Sequence, residues 1–212
     1  MEIIATASII AGILSLLCLL ALHVVSPEFK PNWRMVSEYA MGKNKWLLTL
    51  FFCLWSLSTL LGAYLLMQVV ITNAAIIGVL LIAVSGIGAL MGGMFDIKHK
   101  LHGLSFMLGV PTLPIGALII SYHLIGQEPW NANATLILCS AHALWISVVL
   151  MALTMMLLFA GFKKAGIAMG PNAEPPKEVP QGVIAVSGYA NRLLVFAYVF
   201  WVLVIAQTYL SI

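Results

Sequence analysis

Three side chains capable of metal or proton chemistry stand at regular spacing near the middle of the chain. Asp96, His99 and His102 follow the pattern D-x-x-H-x-x-H. Three-residue steps along a helix place side chains on neighbouring stripes of one face. Imidazoles together with carboxylates can bind zinc and activate a water molecule, and the same groups can act as acid and base without a metal. One hypothesis is therefore a hydrolase, with Asp96, His102 and Glu38 as the ligands of any metal.

Each of these side chains also has a purely structural interpretation. Asp96 is placed to cap the helix that follows it, and helix caps are common. His99 lies between two lysines and is typical of a solvated loop. Glu38 stands four residues after Arg34, a spacing that allows a mutual ion pair on a helix.

A second possible chemistry is redox. His123 and His142 flank a short connection, and a pair of imidazoles can ligate a b-type haem. His23 and His102 could form another such pair. The structural alternative is that His123 extends its ring to the interface while His142 donates to a backbone carbonyl. Zinc and haem b are therefore the two cofactors that could bind to these residues, and neither is firmly predicted from the sequence.

The composition sets the environment in which these residues must be positioned. The chain has 212 residues, of which 62% are hydrophobic and only 8% charged, and its mean hydropathy is +1.07. Soluble domains carry roughly 25% charged residues, so a water-soluble globule is excluded. A net charge of +3 without a basic stripe also excludes nucleic-acid binding. The chain is therefore predicted to be a membrane protein whose partners are lipids; its protein partners and oligomeric state are not predicted.

Six stretches are long and apolar enough to cross a bilayer as helices, which takes about 20 residues each. The apolar runs are continuous, whereas a transmembrane barrel would alternate in polarity over segments of about 10 residues. The prediction is an all-α, six-helix bundle that forms a single membrane domain over residues 1–212. The predicted spans cover residues 3–25, 46–70, 74–94, 101–125, 135–161 and 189–210.

The basic residues predict the orientation of this bundle. All ten lie in the connecting segments 26–45, 95–100 and 162–188 or at the start of the last helix. The other two connections contain none. Positive charge marks the cytoplasmic side, so both termini are expected outside. Within the first connection, residues Asn32–Met41 are predicted to form a short interfacial helix with its apolar side against the membrane.

Topology gathers scattered polar side chains at one level on the cytoplasmic side. Polar groups at membrane depth are costly and are functional candidates by default. We expect them to form a pocket that binds a lipid headgroup or a small amphiphile, with Arg192 facing an anionic group. A purely structural role remains an alternative. The pocket candidates are His23, Ser26, Glu38, Asp96, His102 and Arg192.

Three further features concern packing. The third span is rich in glycine, including Gly88 and Gly92, and small residues let helices approach closely in lipid, so we expect this helix to be central. Pro111 and Pro114 should bend the fourth span. The connection 162–188, with its four prolines, is predicted to be a solvated, proline-stiffened linker.

Several blocks together resemble the domain of unknown function 998 family. They begin with the string HVVSPEFKPNWRMVSEYAMG, which starts at His23. Further matching blocks are GGMFD ending at Asp96, LHGL starting at Leu101, and NRL starting at Asn191. Asp96 follows Phe95 directly, without the Pro-Thr that the family pattern has between them. The resemblance implies a prokaryotic six-helix protein of the bacterial cytoplasmic (inner) membrane, without an assigned activity, and its blocks contain the pocket candidates.

Overall fold

The computed structural model describes residues 1–167, 176 and 178–212. Over these residues the chain forms α-helices and two short 3-10 helices, and no strand. The 3-10 helices are Val36–Met41, between α1 and α2, and Trp130–Asn133, directly before α6. The α-helices are α1 Glu2–Val25, α2 Lys45–Met67, α3 Asn73–Met94, α4 His102–Gly109, α5 Thr112–Leu124, α6 Ala134–Lys164 and α7 Ser187–Ser211.

Six stretches are long and apolar enough to cross a membrane, as predicted, with α4 and α5 together forming the fourth. The predicted span boundaries differ from the ends of the corresponding α-helices by at most three residues. α2 ends at Met67 rather than residue 70, because residues 68–70 turn towards Thr72, whose hydroxyl accepts from the Ala75 N–H and starts α3. α6 continues through Lys163 and Lys164, since cations are favourable in the last turn of a helix.

α7 is the most buried helix of the bundle, whereas α3, which we expected to be central, is less buried but packs closely against α2, α4 and α5. Within an 18-residue apolar stretch of each helix, 61% of the stretch is buried in α7 and 44% in α3. α7 packs against α1, α2 and α6, and it contributes the fully buried rings of Tyr198 and Trp201. Bulky residues bury more surface than the glycines of α3, so the helix that carries them stabilises the centre of the bundle.

The glycines of α3 instead bring two backbones into contact. A Cβ atom added at Gly88 would lie 2.4 Å from the backbone nitrogen of Gly109 and 2.6 Å from its Cα. Only glycine fits there without moving backbone on one side or the other. The small-residue pattern therefore predicted a close approach correctly, and its partner is the C-terminal end of α4.

The fourth span is broken between α4 and α5, which confirms the predicted bend. Proline at position 114 has no N–H to bond the carbonyl of Val110, four residues earlier. That carbonyl accepts a hydrogen bond from the Tyr198 hydroxyl of α7. The neighbouring Gly109 carbonyl accepts from the Ser85 hydroxyl at 2.7 Å. Side-chain hydroxyls thus satisfy backbone groups that the break exposes at membrane depth.

The predicted interfacial helix is shorter and of a different type. A 3-10 helix begins at Val36 instead of an α-helix at Asn32. The N–H of Met35 is bonded to Glu38 and that of Val36 to Asn191, so these donors do not reach preceding carbonyls. Of the apolar side chains of this segment, Trp33, Val36 and Tyr39 are buried against the rest of the protein. Placement of this helix in the headgroup plane remains a prediction.

Part of the described connection 162–188 packs onto the bundle, which the predicted solvated linker did not include, whereas Glu178, Gln181 and Ile184 are exposed. Val183 contacts Gly161 of α6, and Val179 and Ile167 pack around Trp33 and the end of α6. The Trp33 and Phe162 rings meet edge to face, 6.2 Å apart. The prediction for residues 168–175 and 177 lies outside the described residues.

Candidate functional site

A cavity of about 100 Å³ lies where α2, α3, α4 and α7 meet the 3-10 helix Val36–Met41. This is the end of the bundle at which α1 ends and α2, α4 and α7 begin. We call it the basic end, since Lys45, Lys98, Lys100 and Arg192 lie there. Such a volume is smaller than the roughly 150 Å³ that holds a benzene molecule, so it can enclose a short length of chain or one small polar group, and the rest of a larger ligand must extend beyond its mouth.

Three polar side chains line the outer part of the cavity. They are Ser37 of the 3-10 helix, His102 in the first turn of α4 and Asn191 in the first turns of α7. The Nδ1 of His102 is 3.0 Å from the Phe95 carbonyl, so it carries the proton, and Nε2 is left as an acceptor. Asn191 accepts from the Val36 N–H through Oδ1 at 2.8 Å. Its Nδ2 donates to the Met151 sulfur at 3.5 Å, which leaves one amide N–H without a partner. The cavity mouth thus has a hydroxyl, an imidazole acceptor and one amide N–H.

The interior of the cavity is mostly apolar, and the hydroxyls of Ser85 and Ser105, which also line it, donate to the carbonyls of Gly109 and Gly88. Trp55, Ala89 and Val195 form its walls, and Gly109 and Val110 at the helix break close it. From His102 to Gly109 the wall descends seven residues, or roughly 10 Å along a helix. The cavity is therefore amphipathic, with polar groups at the basic end and apolar surface towards the middle of the bundle.

Arg192 lies beside this cavity in a network of its own. Its Nε donates to Nε2 of His23 at 2.7 Å. Its terminal nitrogens donate to the carbonyls of Arg34 at 2.5 Å and Gly188 at 3.0 Å, and to the Tyr39 hydroxyl at 3.3 Å. Four hydrogen bonds within the protein leave this guanidinium little capacity for an anionic ligand. Its observed contacts join α1, α7 and the segment between α1 and α2.

Glu38 belongs to the same segment and forms the ion pair that its spacing from Arg34 allows. One carboxylate oxygen lies 3.3 Å from Arg34, and the other accepts from the Met35 N–H at 2.9 Å. Burial raises the pKa of the Glu38 carboxyl above its ordinary value, although Arg34 and the Met35 N–H act in the opposite direction. Arg34 also stacks on Trp33, 4.0 Å from the ring centroid.

Ser26 and Asp96 each have other partners. The buried Ser26 hydroxyl accepts from the Asn44 amide at 3.0 Å. Asp96 binds Lys45 at 2.8 Å on the surface of the basic end, and this hydrogen bond holds the pKa of its carboxyl below the ordinary value. The structural interpretation proposed that Asp96 caps α4, and the structure shows that it does not. It accepts from the Lys98 N–H in the turn before α4, which begins only at His102.

The predicted zinc ligands do not converge. Among the residues that the structure describes, no three histidine, cysteine or acidic side chains are grouped so that they could hold a metal. Glu38 is paired with Arg34, Asp96 with Lys45, and His102 faces the cavity mouth. His99 stacks on Phe95 with the ring centroids 4.5 Å apart and accepts from the Leu101 N–H.

The predicted haem ligands are also engaged elsewhere. The Nε2 of His142 is 3.2 Å from the Tyr122 hydroxyl, and its Nδ1 accepts from the Trp145 indole at 2.9 Å. The Nε2 of His123 lies 2.7 Å from the Gln127 amide. Neither ring nitrogen of His142 is available to an iron in this arrangement, so these residues do not fit a haem. At the other end, Nε2 of His23 is bonded to Arg192.

Of the six predicted pocket residues, only His102 lines the cavity. His23 and Arg192 are joined to each other, while Ser26 and Asp96 lie in separate contacts. Sequence reasoning missed the importance of Ser37 and Asn191 and the interior wall around Gly109. The nearby prolines were a usable signal, because irregular backbone at membrane depth occurs where it is buried or lines a cavity.

The fold and the cavity define a multi-pass helical membrane protein with an amphipathic cavity at one end. Residues 9–208 match the family model described as "Protein of unknown function (DUF998)", and the chain belongs to this family. No curated protein and no solved structure matches the chain.

Proposed function

We propose that this protein binds a small amphiphile or a lipid headgroup in the cavity at the basic end, on the cytoplasmic side of the bacterial inner membrane. The observation that carries the proposal is the amphipathic lining of the cavity. Hydrogen-bonding groups of Ser37, His102 and Asn191 lie at its mouth, and an apolar wall extends inward to the break at Gly109. Ligand sites combine a mostly apolar lining with a few polar groups that fix orientation.

The chemistry of the mouth favours a ligand recognised by hydrogen bonds. Arg192 donates within the protein, and no charged residue is among those that line the cavity. Glycerol hydroxyls and ester carbonyls match the His102 acceptor and the Asn191 donor. The small volume encloses only part of a ligand, which favours a single-chain amphiphile that extends out of the mouth over a two-chain lipid. The basic residues at the rim, such as Lys98, attract the anionic membrane surface without entering the cavity.

Native mass spectrometry of the purified protein tests this proposal with three single-chain probes: monoacylglycerol, lysophosphatidylethanolamine and lysophosphatidylglycerol. We expect one molecule of each probe to bind, including the uncharged monoacylglycerol. Ala89→Leu adds a side chain to the cavity wall and should abolish that binding. Ala152→Leu makes the same change on the exposed face of α6 and should leave it intact.

Polar substitutions at the mouth give a second readout. Ser37→Ala and His102→Ala each remove a group that lines the cavity, and each should weaken binding about tenfold, a typical effect of one lost hydrogen bond. Binding that is unchanged in Ala89→Leu and in both polar variants would refute the proposal. Binding of lysophosphatidylglycerol alone would contradict recognition by uncharged groups and would favour the anion-binding pocket predicted from the sequence.

A further inference from the structure

A second amphipathic depression lies at the opposite end of the bundle from the basic end. It is a groove of about 440 Å³ over α7, between α1 and α6. Ile9 of α1 and Leu136 of α6 form its two sides, and Phe200 and Leu203 of α7 form its floor. This volume lies within the roughly 300–1,000 Å³ typical of ligand sites.

The polar residues of the groove are confined to one end of it. They are Asn133, directly before α6, and three residues in the last turns of α7, of which Gln207 is exposed. Over the residues that the structure describes, the side-chain amides of Asn133 and Gln207 have no hydrogen-bond partner within the protein. Both amides carry donors and acceptors at the end of the groove, so a ligand with carbonyls or hydroxyls at that level can bond both of them.

We infer that this groove holds one phospholipid of the outer leaflet, with an acyl chain along Ile9, Phe200 and Leu203 and its glycerol ester region at the two amides. None of the residues lining the groove is charged, so the site recognises ester carbonyls rather than headgroup charge. A groove that opens into the bilayer core excludes water, and an acyl chain matches its apolar floor. The site is separate from the basic-end cavity, so either can fail without the other.

Photo-crosslinking tests the inference on the full-length protein in nanodiscs. The probe is phosphatidylethanolamine with a diazirine halfway along one acyl chain, and mass spectrometry locates the adducts. We expect adducts on Ile9, Phe200 and Leu203 to exceed those on the face of α6 at Leu153 and Met156, although that face is the more exposed of the two. Phosphatidylglycerol with the same chain should give the same pattern, because the groove contains no charge.

Two sets of variants sharpen the result. Asn133→Ala combined with Gln207→Ala should reduce the groove adducts about fivefold, the effect of losing hydrogen bonds of ordinary strength. Ile9→Trp should fill the groove and displace the chain, whereas Ile10→Trp, one residue further along and exposed outside the groove, should not. A variant that fails to fold would lose the adducts on the α6 face together with those in the groove, and this pattern identifies it.

Three outcomes would overturn the inference. One is equal adduct density on the groove and on the α6 face, which would indicate ordinary boundary lipid. Another is an Ile9→Trp variant with undiminished groove adducts. The third is protein–protein crosslinking between photoreactive residues placed at Leu203 of two chains, which would show that a second copy occupies the groove.

Discussion

Nε of Arg192 donates to Nε2 of His23 at 2.7 Å, joining residues 169 positions apart in the sequence. The Nδ1 of His23 lies 2.6 Å from the Leu19 carbonyl and carries the proton, so the ring accepts from Arg192 in its neutral form. This bond holds the end of α1 against the start of α7. The same guanidinium donates to the Arg34 carbonyl and thereby fixes the segment that covers the cavity.

Replacing Arg192 by lysine should destabilise the protein even though the charge is kept. An ammonium has no Nε–H to direct at His23 and cannot reach all the acceptors that the planar guanidinium reaches. Hydrogen bonds to charged groups contribute about 1.5–3 kcal/mol, so we expect a loss of about 2 kcal/mol. Thermal unfolding in one detergent measures it, with the exposed Lys43→Ala as a control. Equal effects in the two variants would contradict the structural role of Arg192.

Glu38 and Asp96 should change stability with pH in opposite directions. Burial raises the pKa of Glu38, so its contribution to stability is full below the unfolded value of about 4.3 and is lost as pH rises through the folded pKa. The stability of the wild type relative to Glu38→Gln should therefore fall with rising pH. Unfolding of both proteins between about pH 3 and pH 7 measures this difference.

For Asp96 the change of stability with pH has the opposite sign. Its hydrogen bond to Lys45 lowers the pKa, so its contribution is present above the unfolded value of about 3.9 and is lost as pH falls through the folded pKa. The wild type should lose stability relative to Asp96→Asn on acidification. This effect is small because the carboxylate is exposed to solvent. A common sign for the two variants would contradict the described environments.

Two glycines at the α3–α4 contact should respond differently to alanine. Gly88→Ala places a methyl group against the backbone of Gly109 and should cost about 1–3 kcal/mol through overpacking. At Gly103 in α4, no atom outside the adjoining backbone of its own helix lies within 4 Å of an added Cβ, so in Gly103→Ala the higher helix propensity should stabilise the protein by up to about 1 kcal/mol. Unfolding measurements on both variants separate the two effects, and a Gly88→Ala protein as stable as Gly103→Ala would refute the close approach.

Cysteine labelling should place the basic end on one side of the membrane. Lys45 is bonded to Asp96, so the start of α2 and the connection that contains Lys98 lie together. In a background without the native cysteines, Lys45→Cys and Lys98→Cys should react with an impermeant maleimide only after the cytoplasmic side is opened. Glu128→Cys should react from outside. Labelling of positions 45 and 98 from opposite sides would exclude the topology and the cavity together.

The sequence predicts the spans of this protein far better than its site. The length and the continuous hydropathy of a span depend on local composition. The helix break near Pro114 and the close backbone approach at Gly88 also follow from the residue types at those positions. The cavity depends on how the helices rotate against one another, which composition does not specify. Arg192 was correctly placed at the level of the site, but its hydrogen bonds to His23 and to the Arg34 carbonyl depend on tertiary distances. Glu38 was correctly paired with Arg34 because their spacing is local.

The central claim is that the basic-end cavity binds an amphiphile, and tryptophan quenching tests it most directly. Trp55 lines the cavity, whereas Trp145 is exposed on α6. Titration with a monoacylglycerol carrying bromine on its chain should give a saturable quenching component in the wild type and in Trp145→Phe. That component should be absent in Trp55→Phe. Quenching that never saturates, or that is the same in all three proteins, would contradict the account.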